Sequence, residues 1–336
     1  MPDVLRGAMI GCGWFAENHL NAWRRIPGVE IVAAADVRLE RAQKFSAKAY
    51  SSAEEMLDHE QVDFVDIVTH TASHLPMVRL VAARKLPMIC QKPLAPDWQG
   101  AQDIVLAAES AGVRLMIHEN WRWQPWFRQA HAMIERGDIG APIGYGLRFR
   151  RGDGLGEEPY LEQAYFRKES RLIIQQALVH LMDTARFLFG DVDSVYAETS
   201  RRNPRIAAED QAIIVLNHAS GAHGWVDGNR FLNPNPPGPS MGDARLEGEA
   251  GAIDILATGE VFLNNVSVWK SPVVPTVYGG DSVRATESHF ISCLKDGTPF
   301  ESGARKYLRT FAAVEAAYRS AREHRSVPLA EFPDPA

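Results

Sequence analysis

The chain has 336 residues, 46% of them hydrophobic, with 36 Lys and Arg against 42 Asp and Glu, for a formal net charge of −6. At roughly 100–200 residues per domain the length predicts two domains, each with its own core. Without a run of about 18 apolar residues a membrane span is excluded, and without a long basic block nucleic acid is excluded as the main partner.

Three cysteines, Cys12, Cys90 and Cys293, are odd in number and lack metal-ligand spacing, which suits free thiols in a reducing cytoplasm. Arg6 followed by the small and apolar run from Gly7 to Ala16 imitates a signal peptide. Asp3 in the would-be basic region, and no Ala-x-Ala before Glu17, favour a strand, turn and helix instead.

In chain order, Leu5 to Ile10 reads as a buried strand, Gly11-Cys12-Gly13 as a turn, and Trp14 to Ile26 as a helix that Pro27-Gly28 stops. Glu30 to Ala35 is a second strand ending at Asp36, Leu39 to Ala49 a helix, and Ser52-x-x-Glu55 a capping box. Strands at 64–69, 88–90 and 113–118 alternate with helices at 75–85 and 97–111. This β-α-β series predicts an α/β Rossmann domain, a doubly wound parallel sheet, over residues 1–123.

After Trp123 strands follow one another: 143–150, 192–201, 211–218, 224–230, 244–249, 252–257 and 260–264. Helices at 126–136, 176–189, 287–295 and 305–322 would cover one face of this sheet. Residues 124–336 are therefore expected to form an α+β domain with a large, mainly antiparallel sheet. The irregular loops 152–159 and 233–242 are candidate lids or subunit contacts.

Gly11-x-Gly13-x-x-Ala16 lies between strand and helix, where glycines let the backbone approach a pyrophosphate at a helix N-terminus. Asp36, at the end of the second strand, is placed to accept hydrogen bonds from an adenosine ribose diol and to repel a 2′-phosphate. That favours NAD. Arg38 can swing toward such a phosphate, so NADP stays open.

Lys92 follows the fourth main strand at the carboxyl edge of the sheet, where it can donate to a substrate oxygen or take its proton; a surface lysine before a turn proline is the alternative. His70 and His74 lack a carboxylate or cysteine to complete a metal set, and no metal is expected; their loop is placed along the cofactor. Trp121-Arg122-Trp123 and Trp126 offer indole faces for sugar C–H surfaces and a guanidinium for hydroxyls, with interdomain packing as the alternative. His180 and Asp183, on a helix opened by Gln175 and Gln176, make either a proton shuttle or a satisfied core pair.

Taken together, these residues resemble the Gfo/Idh/MocA oxidoreductases. The similarity runs through Gly11-Cys12-Gly13-x-x-Ala16, Thr69-x-x-x-x-His74, Gln91-Lys92-Pro93 in the place of the family's Glu-Lys-Pro, and Asn120-x-Arg122-Trp123-x-Pro125. It continues in His180-x-x-Asp183, Phe187-Leu188-Phe189-Gly190, Ala316-Ala317-Tyr318-x-Ser320-Ala321 and Val327-Pro328-Leu329. Within the family, Cys90-Gln91-Lys92-Pro93 and His118-Glu119-Asn120-Trp121-Arg122-Trp123-Gln124 look most like the D-apiose dehydrogenases.

The resemblance implies hydride transfer between a nicotinamide cofactor and a hydroxyl of a sugar, sugar lactone or polyol. Lys92 would orient that hydroxyl and His180 exchange its proton. By the same carry-over, Trp14, Phe15 and Cys12 join the glycines at the cofactor, with Thr69, His74, Gln91 and Asn120 along it. Trp121, Arg122 and Gln176 would meet the substrate.

Many members carry Asp four residues before the histidine and Gly two before it; this chain has Gln176 and Leu178. A glutamine can hydrogen-bond a hydroxyl but cannot accept a proton. That difference opens two other readings, a non-catalytic NAD and sugar sensor, or an epimerase or lyase type that keeps its NAD bound. The expected assembly is a homodimer or homotetramer formed through the open face of the second sheet.

Overall fold

The structure, a computed structural model, describes residues 4–271 and 278–335. It divides into two compact units. One takes the chain up to Asn120 together with Val283–Leu308, and the other takes Trp121–Ser282 and Arg309–Pro333. The single cut expected at residue 123 is therefore incomplete. The reason is apolar burial: Phe290, Ile291, Cys293, Leu294 and Phe300 share one core with Leu5, Met9, Trp23 and Phe64.

The first unit alternates β1 (Leu5–Ile10), α1 (Ala16–Trp23), β2 (Val29–Ala35), α2 (Leu39–Ala42), β3 (Ala49–Tyr50), α3 (Ala53–His59) and β4 (Phe64–Ile67), then α4 (His74–Ala83), β5 (Met88–Gln91), α5 (Trp98–Ser110) and β6 (Leu115–His118). Its six strands are parallel, in the order β3-β2-β1-β4-β5-β6. Every residue of β4, β5 and β6 is buried, as both faces of a parallel sheet require. The order reverses between β1 and β4, which makes the carboxyl ends of these two strands the topological switch point.

Local chemistry sets the helix starts. Ser52 Oγ accepts from Glu55 N–H at 3.3 Å, and Asp97 Oδ1 accepts from Gly100 N–H at 2.9 Å. The helix expected over Leu39 to Ala49 stops at Ala42, and Ala49–Tyr50 adds an edge strand instead. Ser46 explains the difference. Its hydroxyl donates to Val32 O at 3.0 Å and accepts from Lys48 N–H at 3.2 Å, drawing the chain back to β2.

The second unit holds α6 (Pro125–Glu135), β7 (Pro142–Arg150), α7 (Val179–Phe189), β8 (Val192–Ser200), β9 (Gln211–His218), β10 (His223–Asn229), β11 (Ala244–Gly248), β12 (Gly251–Ile255), β13 (Val261–Leu263) and β14 (Val266–Trp269). After α8 (Ser282–Asp296) and α9 (Ala304–Glu323) the short β15 (Val327–Pro328) closes the sheet edge. The strand order is β14-β13-β12-β11-β7-β10-β9-β8-β15, with β7 and β10 parallel and the other pairs antiparallel.

Alternate residues of β9 are buried, while Ile213 and Val215 on its other face are exposed. Val215 pairs with Tyr196 of β8 and Trp225 of β10, an apolar row on the outer face. The two irregular loops are pinned rather than open: Arg230 forks onto the Asp153 carboxylate, and Asn233 Oδ1 accepts from Gly152 N–H at 2.9 Å. A side chain at Gly242 would lie 1.8 Å from Arg148 O.

Candidate active site

At the switch point Gly11 has φ +93, and a Cβ there would lie 2.6 Å from Val68 O. Only glycine fits this turn. At Gly13 a Cβ would meet nothing within 4 Å, so the backbone is open to an approaching group. No side chain caps the start of α1, which begins three residues later. Asp36 Oδ2 accepts from Cys12 N–H at 2.8 Å and Oδ1 from Arg38 N–H at 2.9 Å, so this carboxylate also holds the glycine turn in place. The Cys12 thiol is pushed up to about 12, by burial first and then by Asp36, and stays protonated and inert beside it.

Thr69, just past β4, carries a buried Oγ1 with no hydrogen-bond partner among the described residues. Its Cγ2 would touch a Cβ at Gly11 at 3.0 Å. A bare glycine backbone, an uncapped helix start, a strand-end carboxylate and this orphaned hydroxyl fit a dinucleotide. Trp14 is exposed beside them, and Phe15 is half-buried.

His74, expected along the cofactor, lies in the interior beside the glycine turn's neighbour Thr69. It is fully buried, with Nδ1 3.0 Å from Leu94 O and Nε2 3.1 Å from Thr69 O, and so ties the loop after β4 to the loop after β5. Asn120 is buried two residues past β6.

Gln91 ends β5 and Lys92 follows it, at the carboxyl edge where ligands bind in an open parallel sheet. Below them lies a buried polar cluster that sequence reasoning missed: His19 and Trp23 from α1, Asp66 from β4, His118 from β6 and Glu287 from α8. Nitrogen and oxygen atoms of His19, His118 and Glu287 lie within 4.8 Å of one another, close enough for a metal. Hydrogen bonds engage His19 on both sides. Gln91 Nε2 faces His19 Nε2 at 3.0 Å, and Asp66 Oδ2 faces His19 Nδ1 at 2.8 Å, so both ring nitrogens are committed. One signal was available, a charged Asp66 inside the apolar strand Phe64–Ile67.

In the second unit Trp121 is buried and stacked on His180, with ring centroids 4.8 Å apart and planes 4° from parallel. Arg122, expected at the substrate, is engaged by a carboxylate of its own unit. Its Nε and Nη2 both donate to Asp183, each at 2.7 Å, with the pair buried, so this edge of the guanidinium is fixed by the protein. Thr310 Oγ1 donates to the same carboxylate at 2.7 Å and accepts from Arg186 at 2.7 Å. Burial alone would raise the Asp183 carboxyl; Arg122, Arg186 and Thr310 outweigh it and hold the group below its usual range.

The helix expected to open at Gln176 has two parts. A π-helical segment, Ile173–Leu178, precedes α7. Glu209 anchors it, since Oε1 accepts from Leu172 N–H at 3.0 Å, Ile174 N–H at 3.3 Å and Tyr318 O–H at 2.6 Å. The wide turn carries Gln175, buried, and Gln176, half-buried, one turn before His180. Leu178 stands where a Cβ at Gly228 of β10 would fall, 2.2 Å from its Cδ2, so the missing side chain on the strand makes room for the larger one on the helix.

A glycine turn at the switch point, a carboxylate closing the second strand and an uncapped helix define a dinucleotide-binding protein of the Rossmann class. Residues 5–119 match the oxidoreductase family with an NAD-binding Rossmann fold, and residues 127–254 match the GFO/IDH/MocA C-terminal domain. The chain is 39% identical to a D-apiose dehydrogenase of Paraburkholderia graminis, over 96% of this chain and 89% of that one. It is 34% identical to a D-apiose dehydrogenase of Rhizobium rhizogenes, over 97% of both. A crystal structure of an oxidoreductase from Agrobacterium radiobacter in complex with NAD+, L-tartaric acid and magnesium superimposes with a TM-score of 0.88 at 33% identity, covering 98% of this chain and 99% of that one. The chain belongs to the Gfo/Idh/MocA family and is an NAD-binding oxidoreductase.

Proposed function

We propose that the chain is an NAD-dependent dehydrogenase of a sugar hydroxyl, with D-apiose or a similar aldose, lactone or polyol as substrate. The observation that carries this reading is the nearly full-length similarity to two D-apiose dehydrogenases. NAD, when bound, supplies the hydride acceptor. The Gly11 and Gly13 backbone and the start of α1 would hold its pyrophosphate, Asp36 its ribose diol, and Thr69 Oγ1 a neighbouring polar atom.

Lys92 donates to the reacting hydroxyl oxygen and fixes its orientation; His180 takes the hydroxyl proton, with Trp121 holding the plane of its ring. Gln176 contributes an amide that can pair with substrate hydroxyls but takes no proton, which leaves the proton transfer to His180.

A spectrophotometric screen of the purified protein with NAD, against D-apiose, other aldoses, lactones and inositols, tests the proposal. NADH formed with one sugar class and lost in Lys92→Ala and His180→Ala is the expected result. Near wild-type rates in both variants would overturn the assigned roles. Silence across the panel, with NAD binding intact by calorimetry, would favour the sensor or the enzyme with tightly held NAD.

We also infer self-association through the row Tyr196, Val215 and Trp225. Light scattering should give a multiple of the 37.3 kDa chain, and a monomer would refute it. Among the described residues no helix is long and apolar enough to cross a membrane. Free, buried Cys12, Cys90 and Cys293 support the cytoplasm as its compartment.

A further inference from the structure

Gln91 stands between Lys92 and the buried cluster, and its orientation follows from chemistry. Lys92 N–H lies 2.6 Å from one terminal atom of the Gln91 side chain. An N–H only donates, so that atom is the oxygen, Oε1. The amide nitrogen Nε2 is then turned toward His19 Nε2 at 3.0 Å and donates to it. His19 therefore carries its proton on Nδ1, which donates to Asp66 Oδ2 at 2.8 Å; Glu287 Oε1 lies 3.3 Å from the same nitrogen. Trp23 Nε1–H completes the set on Asp66 Oδ2 at 2.7 Å. His19, Asp66, His118 and Glu287 have no exposed surface, and the hydrogen bonds from Gln91 through His19 to Asp66 run in one direction.

We propose that Gln91 is a positioning residue that holds the Lys92 main chain through this relay, and that an amide is required at position 91 because the pocket already contains two carboxylates. The inference rests on the dehydrogenase reading only in assigning Lys92 to the reaction. The titratable groups around position 91 are His19 on α1, Asp66 on β4, Cys90 and Lys92 beside it, His118 on β6 and Glu287 on α8. A carboxylate added here would be the third in this buried cluster, and it would offer His19 Nε2 no proton.

The test is Gln91→Glu in the full chain. A protonated glutamic acid reproduces the amide, one oxygen accepting from Lys92 N–H and the O–H donating to His19. An ionised one does not. At about pH 8 kcat should fall by about 10- to 100-fold, the scale of a small misplacement of a reacting group, with KM for the sugar unchanged. Activity should return toward wild type as the pH is lowered to about 6, where the new carboxyl regains its proton.

The thermal midpoint supplies a readout independent of turnover. A carboxyl whose pKa is raised by folding loses stability as pH rises, so the deficit of Gln91→Glu against wild type should widen from about pH 5 to about pH 8. Adding Glu287→Gln removes one carboxylate from the pocket and should restore part of both losses. A deficit that does not vary with pH, or wild-type kcat at about pH 8, would overturn the proposal. Wild-type silence on every sugar would overturn the dehydrogenase reading instead, and the midpoint profile would still decide the relay.

Discussion

Asp36 is the residue whose chemistry is most exposed to a direct test, because one carboxylate does two things. It accepts the Cys12 and Arg38 backbone N–H groups, and in the function proposed above its remaining lone pairs accept from a ribose diol. Asp36→Asn keeps the shape and removes the charge. Hydrogen bonds to a charged group contribute about 1.5–3 kcal/mol, so NAD affinity should fall by about 10- to 100-fold. NADP, no longer repelled and with Arg38 exposed nearby, should lose less, and the NAD-to-NADP ratio of dissociation constants measured by calorimetry should rise. An unchanged ratio would remove Asp36 from the specificity of the site. The position of Asp36 was legible in the sequence because it is local, a carboxylate that follows the second strand. Arg122 was not. Its partner Asp183 lies 61 residues away, and only the fold shows that the guanidinium is engaged by the protein. The His19, Asp66 and Glu287 cluster was hidden for the same reason, since its members come from three elements.

Elements with a strong period were readable and the short ones were not. β1 occupies the residues expected from its apolar run, as does β9, and Ser52 caps α3 as its Ser-x-x-Glu spacing implies. β3 and β15 have two residues each, too few to show any alternation, and exist because a neighbouring edge offers hydrogen bonds. β14 follows from a turn rather than a pattern: Asn264 and Asn265 take φ +49 and +67, the left-handed pair that closes a two-residue hairpin. The π-helical segment before His180 had no sequence signal either. Its apolar spacing reads as ordinary helix, and the wide turn depends on Glu209, which meets it from more than 30 residues away. The site was therefore legible where a motif is contiguous and obscure where a distant carboxylate shapes the backbone.

At the scale of the molecule, two buried histidines in different units give the fold a common response to acid. His74 is fully buried, and burial is the largest influence on it; that lowers its pKa from the ordinary 6.5 even though the carbonyls of Leu94 and Thr69 favour the charged ring. His218 is lowered as well, again chiefly by burial. Its neutral form is fully satisfied, with Nδ1–H donating to Gly190 O at 2.8 Å and Nε2 accepting from Tyr145 O–H at 2.7 Å. For both rings the unfolded chain binds a proton at a higher pH than the folded one. Stability is therefore intact above the unfolded pKa of 6.5 and falls as the pH drops below it, until the folded pKa is reached. The slope in that window is at most about 1.4 kcal/mol per pH unit for each ring. Glu209 contributes with the opposite sign. Burial raises its carboxyl, so its stability is lost as pH rises from 4.5 and cannot account for an acid loss near neutrality. Urea unfolding between about pH 8 and about pH 5 should show midpoints that are level down to about 6.5 and then decline. His74→Gln with His218→Gln should lower the plateau, because packing and hydrogen bonds are lost, and flatten the decline, because no titrating ring remains at either position. A decline equally steep in the double variant would assign the acid sensitivity to other groups.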